Sequence, residues 1–308
     1  MSTAVDYPKI TPYGAKHVDP KGPNEIARSL GLKGFRLFGA ATSPLRCLPD
    51  YLIIGTKRGG TTSLARWLNQ HDQIAPLYPA KETRKGMYFF DVNYDKGLAW
   101  YKSHFPTKFA HAMKTKKAGE KLLLGDATPY YLHHPHAPKR AARIVPDAKV
   151  IALLRNPIER AFSHWVERSR QDVETLSFEE AIKAEAVRLA GEEQKMLDEP
   201  GYTSYAHQHF SYIDQGRYAR GLKRWFDAYS QDHLLVIKAE DLYESPEDTY
   251  GQVLNYLEIG HHEPKEFAAW NKKSKPEFSS ETRSIIADAL ADDIKEVETL
   301  LGKEMGWE

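Results

Sequence analysis

Cysteine is nearly missing from this sequence: Cys47 is the one thiol in 308 residues. No intramolecular disulfide can form, which excludes a disulfide-stapled secreted scaffold and suits a reducing cytoplasm. No stretch of about 18 apolar residues occurs, so no membrane span is expected. Met1 to Gly14 contain no signal-peptide core. An excess of either charge is missing too. Lys and Arg number 43 against 42 acids, a net charge of +1, whereas a dedicated nucleic-acid binder carries a basic surplus. There is no internal repeat and no low-complexity tract. These absences lead to an expectation of a cytoplasmic protein with no nucleic-acid partner. The 41% of hydrophobic residues is enough for a sizeable core in one large α/β domain.

The densest signal is Pro49 to Leu68. Leu52 to Ile54 is a short apolar run that reads as a buried strand. Lys57, Arg58, Gly59, Gly60, Thr61, Thr62 and Ser63 follow, and then Leu64, Trp67 and Leu68 recur at helical spacing. Strand, glycine-rich turn and helix make a phosphate cradle: glycines let the backbone curl around an anion, and the first amides of the helix point at it. The ATP-type loop G-x-x-x-x-G-K-[ST] fits poorly. Gly55 and Gly60 match its glycines, but the lysine position holds Thr61 and the basic residue sits upstream at Arg58.

A second signal lies at Arg155-Asn156-Pro157-Ile158-Glu159-Arg160-Ala161-Phe162-Ser163. Val150 to Leu154 is a continuous apolar run, as in a parallel strand buried on both faces. Arg155 closes it, where ligands of open α/β sheets bind. Pro157 suits the first turn of a helix that runs to about Gln171, two turns along which lies Ser163. Arg155 offers a planar fork for a phosphate and Ser163 a hydroxyl. An ATPase strand would end in Asp here, not Arg.

Elsewhere, residues 1–48 are rich in Pro, Gly and Lys and read as an extended arm, with one short helix near Asn24 to Leu30. Further helices are predicted over Tyr94 to Phe105, Ala137 to Val145, Ser177 to Asp198, Tyr218 to Tyr229, Ser245 to Leu257 and Ser279 to Leu301. Ser177 with Glu180 forms a capping box. Leu122 to Leu124 and Leu234 to Ile237 read as further strands. Strands alternating with helices predict a parallel sheet flanked by helices on both faces, as a single domain over residues 49–308. Lys114-Thr115-Lys116-Lys117 reads as an exposed basic turn and Glu179 to Glu199 as a solvated helix face. Trp225 and Phe226 read as core. His133-His134-Pro135-His136 and His207-x-His209 have no accompanying ligand set, so no metal is expected.

Arg58-Gly59-Gly60-Thr61-Thr62 resembles the 5′-phosphosulfate loop of the sulfotransferases that use 3′-phosphoadenosine 5′-phosphosulfate. Arg155 and Ser163 resemble that family's 3′-phosphate grip. Tyr88-Phe89-Phe90-Asp91, Gly97-Leu98-Ala99-Trp100-Tyr101 with Phe105-Pro106, and Gly125-Asp126-Ala127-Thr128-Pro129-Tyr130-Tyr131 resemble segments of the heparan sulfate N- and 3-O-sulfotransferases. In the last of these Asp126 and Ala127 stand where the 3-O enzymes have Glu and Lys. Gly216-Arg217-Tyr218 resembles the segment that closes over the nucleotide, Lys238-Ala239-Glu240-Asp241-Leu242 the family's Glu-Asp-Leu, and Asn271 to Lys275 a late basic loop. The resemblance implies a P-loop-like fold and a soluble, bacterial-type enzyme. It would move a sulfuryl group to a hydroxyl, or an amine, of a small molecule, glycan or lipid. Lys57 to Ser63, Arg155, Ser163, Tyr218 and Lys273 would hold the donor, and Arg58 would also act in catalysis.

The resemblance leaves the general base open. Counting back from the paired phenylalanines, the heparan-enzyme glutamate falls on Gly86, which has no acid–base group. Glu82, in Lys81-Glu82-Thr83-Arg84, resembles the Glu-Thr-Arg of the tyrosylprotein sulfotransferases and is the expected base, with Asp126 in reserve. Histidine serves cytosolic members, but none lies between Gln73 and Asn93. Two rivals stand beside this reading: a P-loop kinase, which magnesium-dependent ATP turnover would reveal, and a module that binds a bisphosphate nucleotide without turnover. The acceptor loops are expected in Lys81 to Tyr88 and Tyr202 to Tyr218. The acceptor's identity and the oligomeric state are not written in the sequence.

Overall fold

Four segments become strands: β1 (Tyr51–Gly55), β2 (Gly125–Ala127), β3 (Lys149–Leu154) and β4 (Leu234–Lys238). They form a parallel sheet in the order β2-β1-β3-β4 within a computed structural model that describes residues 31, 34–77, 86–267 and 278–307. The order reverses direction between β1 and β3. That crevice, at the carboxyl ends of the strands, is the topological switch point at which such sheets bind ligands.

The helices are α1 (34–41), α2 (Thr61–Leu68), α3 (Gly97–Lys102), α4 (Lys108–Ala118), α5 (Ala137–Ile144), α6 (Pro157–Arg170) and α7 (Phe178–Leu189). They continue as α8 (Glu192–Asp198), α9 (Tyr205–His209), α10 (Tyr218–Ala228), α11 (Asp241–Glu244), α12 (Pro246–Leu257) and α13 (Ser280–Leu301). Period-two alternation sorts the strand side chains onto two cores. Leu52, Ile54, Val150, Ala152 and Leu154 meet Leu222 and Trp225 of α10. Tyr51, Ile53, Ile151 and Leu153 meet Leu64 and Trp67 of α2 and Val253 and Leu254 of α12. Both faces are therefore covered, and the strands read as unbroken apolar runs for that reason. A third cluster joins Ile158 and Ala161 of α6 to Phe178 and Ile182 of α7 and to Ile286 and Leu290 of α13.

Local signals set most boundaries. Asn156 caps α6, its Oδ1 accepting from the amides of Ile158 and Glu159. The Ser177–Glu180 capping box forms in both directions. Three expectations are corrected. The strand after Leu122 begins at Gly125, because Leu123 pairs instead with the Ile74 segment, donating to the Gln73 carbonyl and accepting from the Ala75 amide. The long helix ends at Leu189 and restarts at Glu192, since Gly191 takes a left-handed conformation, φ 75°, that caps the second piece. Lys114 to Lys117 are the last turn of α4, closed by Gly119, and not a turn of their own. The expected helix near Asn24 lies outside the described residues.

Candidate active site

The cradle forms as its sequence demands. Gly60 adopts φ 91° and caps α2. Gly59 lies so close to Thr56 and to the Leu153 carbonyl that a Cβ there would approach to 2.7–2.8 Å. Arg58, between β1 and Gly59, takes φ 73°, a left-handed conformation uncommon for non-glycine residues. Along Lys57 to Ser63 burial alternates. Arg58, Gly60 and Thr62 are half-buried, while Lys57, Gly59, Thr61 and Ser63 are buried.

Arg58 is turned toward α6. Its Nε donates to Ser163 Oγ at 3.0 Å, and its Nη1 pairs with Glu167 at 3.3 Å. Arg155 Nη1 donates to the Arg58 carbonyl at 3.3 Å, and Tyr218 Oη donates to the Arg155 carbonyl at 2.8 Å. Arg58, Arg155, Ser163 and Tyr218, scattered over 160 positions of sequence, thus meet at the switch point. Burial raises the Tyr218 hydroxyl's pKa far above its ordinary value, so it remains a donor. Glu240 accepts from the Asn156 amide at 2.8 Å and faces the Trp307 indole at 3.4 Å. It fixes the turn that presents Arg155. The Glu-Asp-Leu segment after β4 was the signal for this residue.

Glu167 is absent from the sequence-derived set, yet it stands four residues after Ser163, on the same helix face. Burial alone would raise its pKa, but Arg168, Arg58 and Lys57 outweigh that and hold it below the usual glutamate value. Lys57 is engaged elsewhere: its ammonium donates to the Gln208 carbonyl at 2.9 Å, tying the cradle to α9. Burial, with Arg168 beside it, holds the amine well below its ordinary pKa. Ser63 Oγ is fully buried, with no hydrogen-bond partner among the described residues.

Asp126 is also fully buried. It accepts from the Met87 amide (3.0 Å), Thr128 Oγ1 (2.9 Å), Tyr101 Oη (3.0 Å) and Tyr131 Oη (2.9 Å). Burial raises its pKa and these four donors pull it back. Tyr131 Oη in turn accepts from the Phe89 and Phe90 amides at 2.8 and 3.3 Å. Asp126 is the hub from which the Phe89-Phe90 segment hangs. Gly86 packs against the end of β2 so closely that a Cβ would collide with Thr128 Oγ1 and the Ala127 carbonyl, so no glutamate fits at that position in this chain. Glu82 and Lys273 lie outside the described residues.

The fold joins two histidine segments that the sequence keeps apart. His133, His207 and Asp214 bring ligand-type atoms within 4.8 Å of one another. The two imidazoles stack 4.1 Å apart at 13°, so their in-plane lone pairs run parallel and do not converge. Asp214 is taken up by Arg220 at 3.0 Å. This arrangement braces the turn after β2 against the loop that follows α9. Tyr130 Oη on His207 Nδ1, at 2.6 Å, adds to the brace.

A family model described as "Sulfotransferase domain" matches residues 48–296. The chain is 24% identical to the membrane-associated sulfotransferase kil1 of Dictyostelium discoideum, over 86% of this chain and 67% of that one. It is 30% identical to the bifunctional heparan sulfate N-deacetylase/N-sulfotransferase 4 of Mus musculus over 70% of its own length, but spans just 23% of that protein. It is 28% identical to the mouse heparan sulfate glucosamine 3-O-sulfotransferase 6, spanning 58% of it. A sulfotransferase structure from Alicyclobacillus acidocaldarius superposes with a TM-score of 0.61 over 84% of this chain and 97% of that one, at 24% identity, and so shares the fold. With the domain model covering most of its length and relatives that bear the same name, the chain belongs to the sulfotransferase family and is an enzyme of that class.

Proposed function

We propose that the protein transfers a sulfuryl group from 3′-phosphoadenosine 5′-phosphosulfate to a hydroxyl of a small molecule, glycan or lipid, with an amine as the alternative acceptor. The observation that carries this reading is the meeting of Arg58, Arg155 and Ser163 at the switch point. A donor with phosphates at both 3′ and 5′ positions needs two anion sites side by side. The cradle amides of Gly59 to Thr62 would take the 5′ end, and Arg155 with Ser163 the 3′-phosphate. The acceptor oxygen attacks sulfur in line. The bond from sulfur to the bridging oxygen breaks, its electron pair stays on the nucleotide, and the acceptor proton passes to Glu82. Arg58 faces the charge that grows on the bridging oxygen, a preorganised electrostatic role. Asp126, occupied by four donors, holds the segment that follows Glu82 in the chain. No step calls for a metal. Residues 49–308 would form the working domain with residues 1–48 as its arm, in the cytoplasm.

Calorimetry tests the donor site. Adenosine 3′,5′-bisphosphate is expected to bind more tightly than adenosine 5′-phosphate by roughly 1.5–3 kcal/mol, about 10- to 150-fold, the value of a charge-assisted grip on one added phosphate. Equal affinities would remove Arg155 and Ser163 from the donor site.

Glu167 makes a second expectation. Its carboxylate holds Arg58 over Ser163, beside the proposed 3′-phosphate, which repels it. Glu167→Gln should tighten bisphosphate binding by at least about 1 kcal/mol, roughly fivefold, the value for a like charge about 4 Å away in bulk water and so the lower bound for one near a protein surface. Weaker binding in the variant would mean that Glu167 supports the site through Arg58 and does not compete with the ligand.

A further inference from the structure

Helix α4 has no buried residue. Its lysines, Lys108, Lys114, Lys116 and Lys117, are accompanied by no acid between residues 108 and 118; Glu120 follows beyond the cap. Phe109 is 76% exposed and Met113 54%. Helical spacing puts these two side chains on one face, with Lys116 and Lys117 one turn further on. Ala110, His111 and Thr115 are the half-buried inner side.

Phe38 and Leu45 are linked to the start of α4 through Arg46. Leu37, Phe38 and Leu45 are each more than half exposed. The Leu45 segment is held against the start of α4 by the Arg46–Thr107 bridge. Arg46 Nη1 also donates to the Phe105 carbonyl at 2.6 Å, and the Cys47 amide to the Pro106 carbonyl at 2.9 Å. The Arg46 guanidinium in turn lies 6.0 Å from the Phe38 ring centre. Single exposed apolar side chains are ordinary. Val187 on α7 is one. Phe109 and Met113 are neighbours on one helix face with lysines one turn on, and exposed apolar side chains grouped and edged by charge in this way mark an interaction surface.

We propose that α4, with Leu37, Phe38 and Leu45, is a peripheral docking face for an anionic lipid bilayer. The charge pattern selects this partner: Lys108, Lys116 and Lys117, on a helix that carries no acid of its own, complement phosphate and carboxylate head groups, while Phe109, Met113 and Leu45 enter the interface. Nothing in this rests on the donor assignment, and its outcome leaves that assignment untouched.

The test is flotation of the full chain with vesicles of phosphatidylcholine alone and of phosphatidylcholine mixed with phosphatidylserine. Binding is expected on the mixed vesicles at least about tenfold above the neutral ones, and falling as salt shortens the Debye length. Phe109→Ser with Met113→Ser, and separately Lys116→Glu with Lys117→Glu, should each lower it by about tenfold. Val187→Ser should leave it unchanged, and circular dichroism should show all variants folded. No vesicle binding, equal binding to neutral vesicles, or binding indifferent to both double substitutions would overturn the proposal. So would self-association, by light scattering, that the same substitutions abolish, because the face would then belong to a second copy.

Discussion

Arg58→Ala is expected to lower kcat for sulfuryl transfer by about 10²–10³-fold, the usual cost of removing one donor aimed at developing charge. The fold should survive the change. The Arg58–Glu167 pair is 15% and 28% exposed, but Glu167 keeps Arg168 at 3.2 Å, so no buried charge is left unpaired. Alanine at φ 73° is no more strained than arginine there, since both carry a Cβ. Loop shape depends on Gly59 and Gly60, which remain. The Michaelis constant for the donor should move less than kcat, because the cradle amides and the Arg155–Ser163 grip are unaltered and the lost interaction strengthens only in the transition state. Arg58→Lys should recover much of the rate, since a lysine presents the same charge from the same backbone. Steady-state kinetics with any acceptor that is turned over would check this. A kcat within a few-fold of the parent for Arg58→Ala would take Arg58 out of the chemistry and leave it as a partner of Ser163 and Glu167.

What could be read from the sequence follows from how local each cause is. Leu52 to Ile54 and Val150 to Leu154 announce buried strands because both faces of a parallel sheet are covered. Pro157, Asn156, Ser177 and Glu180 announce helix starts because capping acts within three residues. Gly59 and Gly60 announce the cradle because the turn excludes a side chain at 59 and takes a positive φ at 60. The long-range causes were not legible. Leu122 to Leu124 looks like a strand on its own, but the place of β2 depends on which neighbour it finds, and Leu123 finds Ile74. Glu167 acts through Arg58, 109 positions away in the chain. The meeting of His133 with His207, 74 positions apart, depends on how α9 docks. Asp126 could be suspected of chemistry from its place after an apolar run, while its four donors come from residues 87, 101, 128 and 131, a set that only the folded chain assembles.

That set carries the second large expectation. Asp126→Ala should lower the free energy of unfolding by about 3–5 kcal/mol, as when one partner of a buried charged network is removed. The loss arises on the donor side. Burial and the Asp126 anion raise the pKa values of Tyr101 and Tyr131 far above the ordinary tyrosine value, so both hydroxyls keep their protons and are left pointing into a cavity that offers no acceptor. The Met87 amide and Thr128 Oγ1 lose the same partner. Asp126→Asn keeps the volume and one acceptor oxygen, and should cost less. The two variants together separate scaffold from base. If Asp126 positions the Phe89-Phe90 segment, transfer per folded molecule in Asp126→Asn should stay near that of the parent, while Glu82→Gln should lose most of it. Denaturant titration gives the stability, and rates corrected for the folded fraction give the chemistry. An Asp126→Ala protein that melts like the parent but no longer transfers sulfate would show that the carboxylate meets the acceptor itself, and the assignment of the base would move from Glu82 to Asp126.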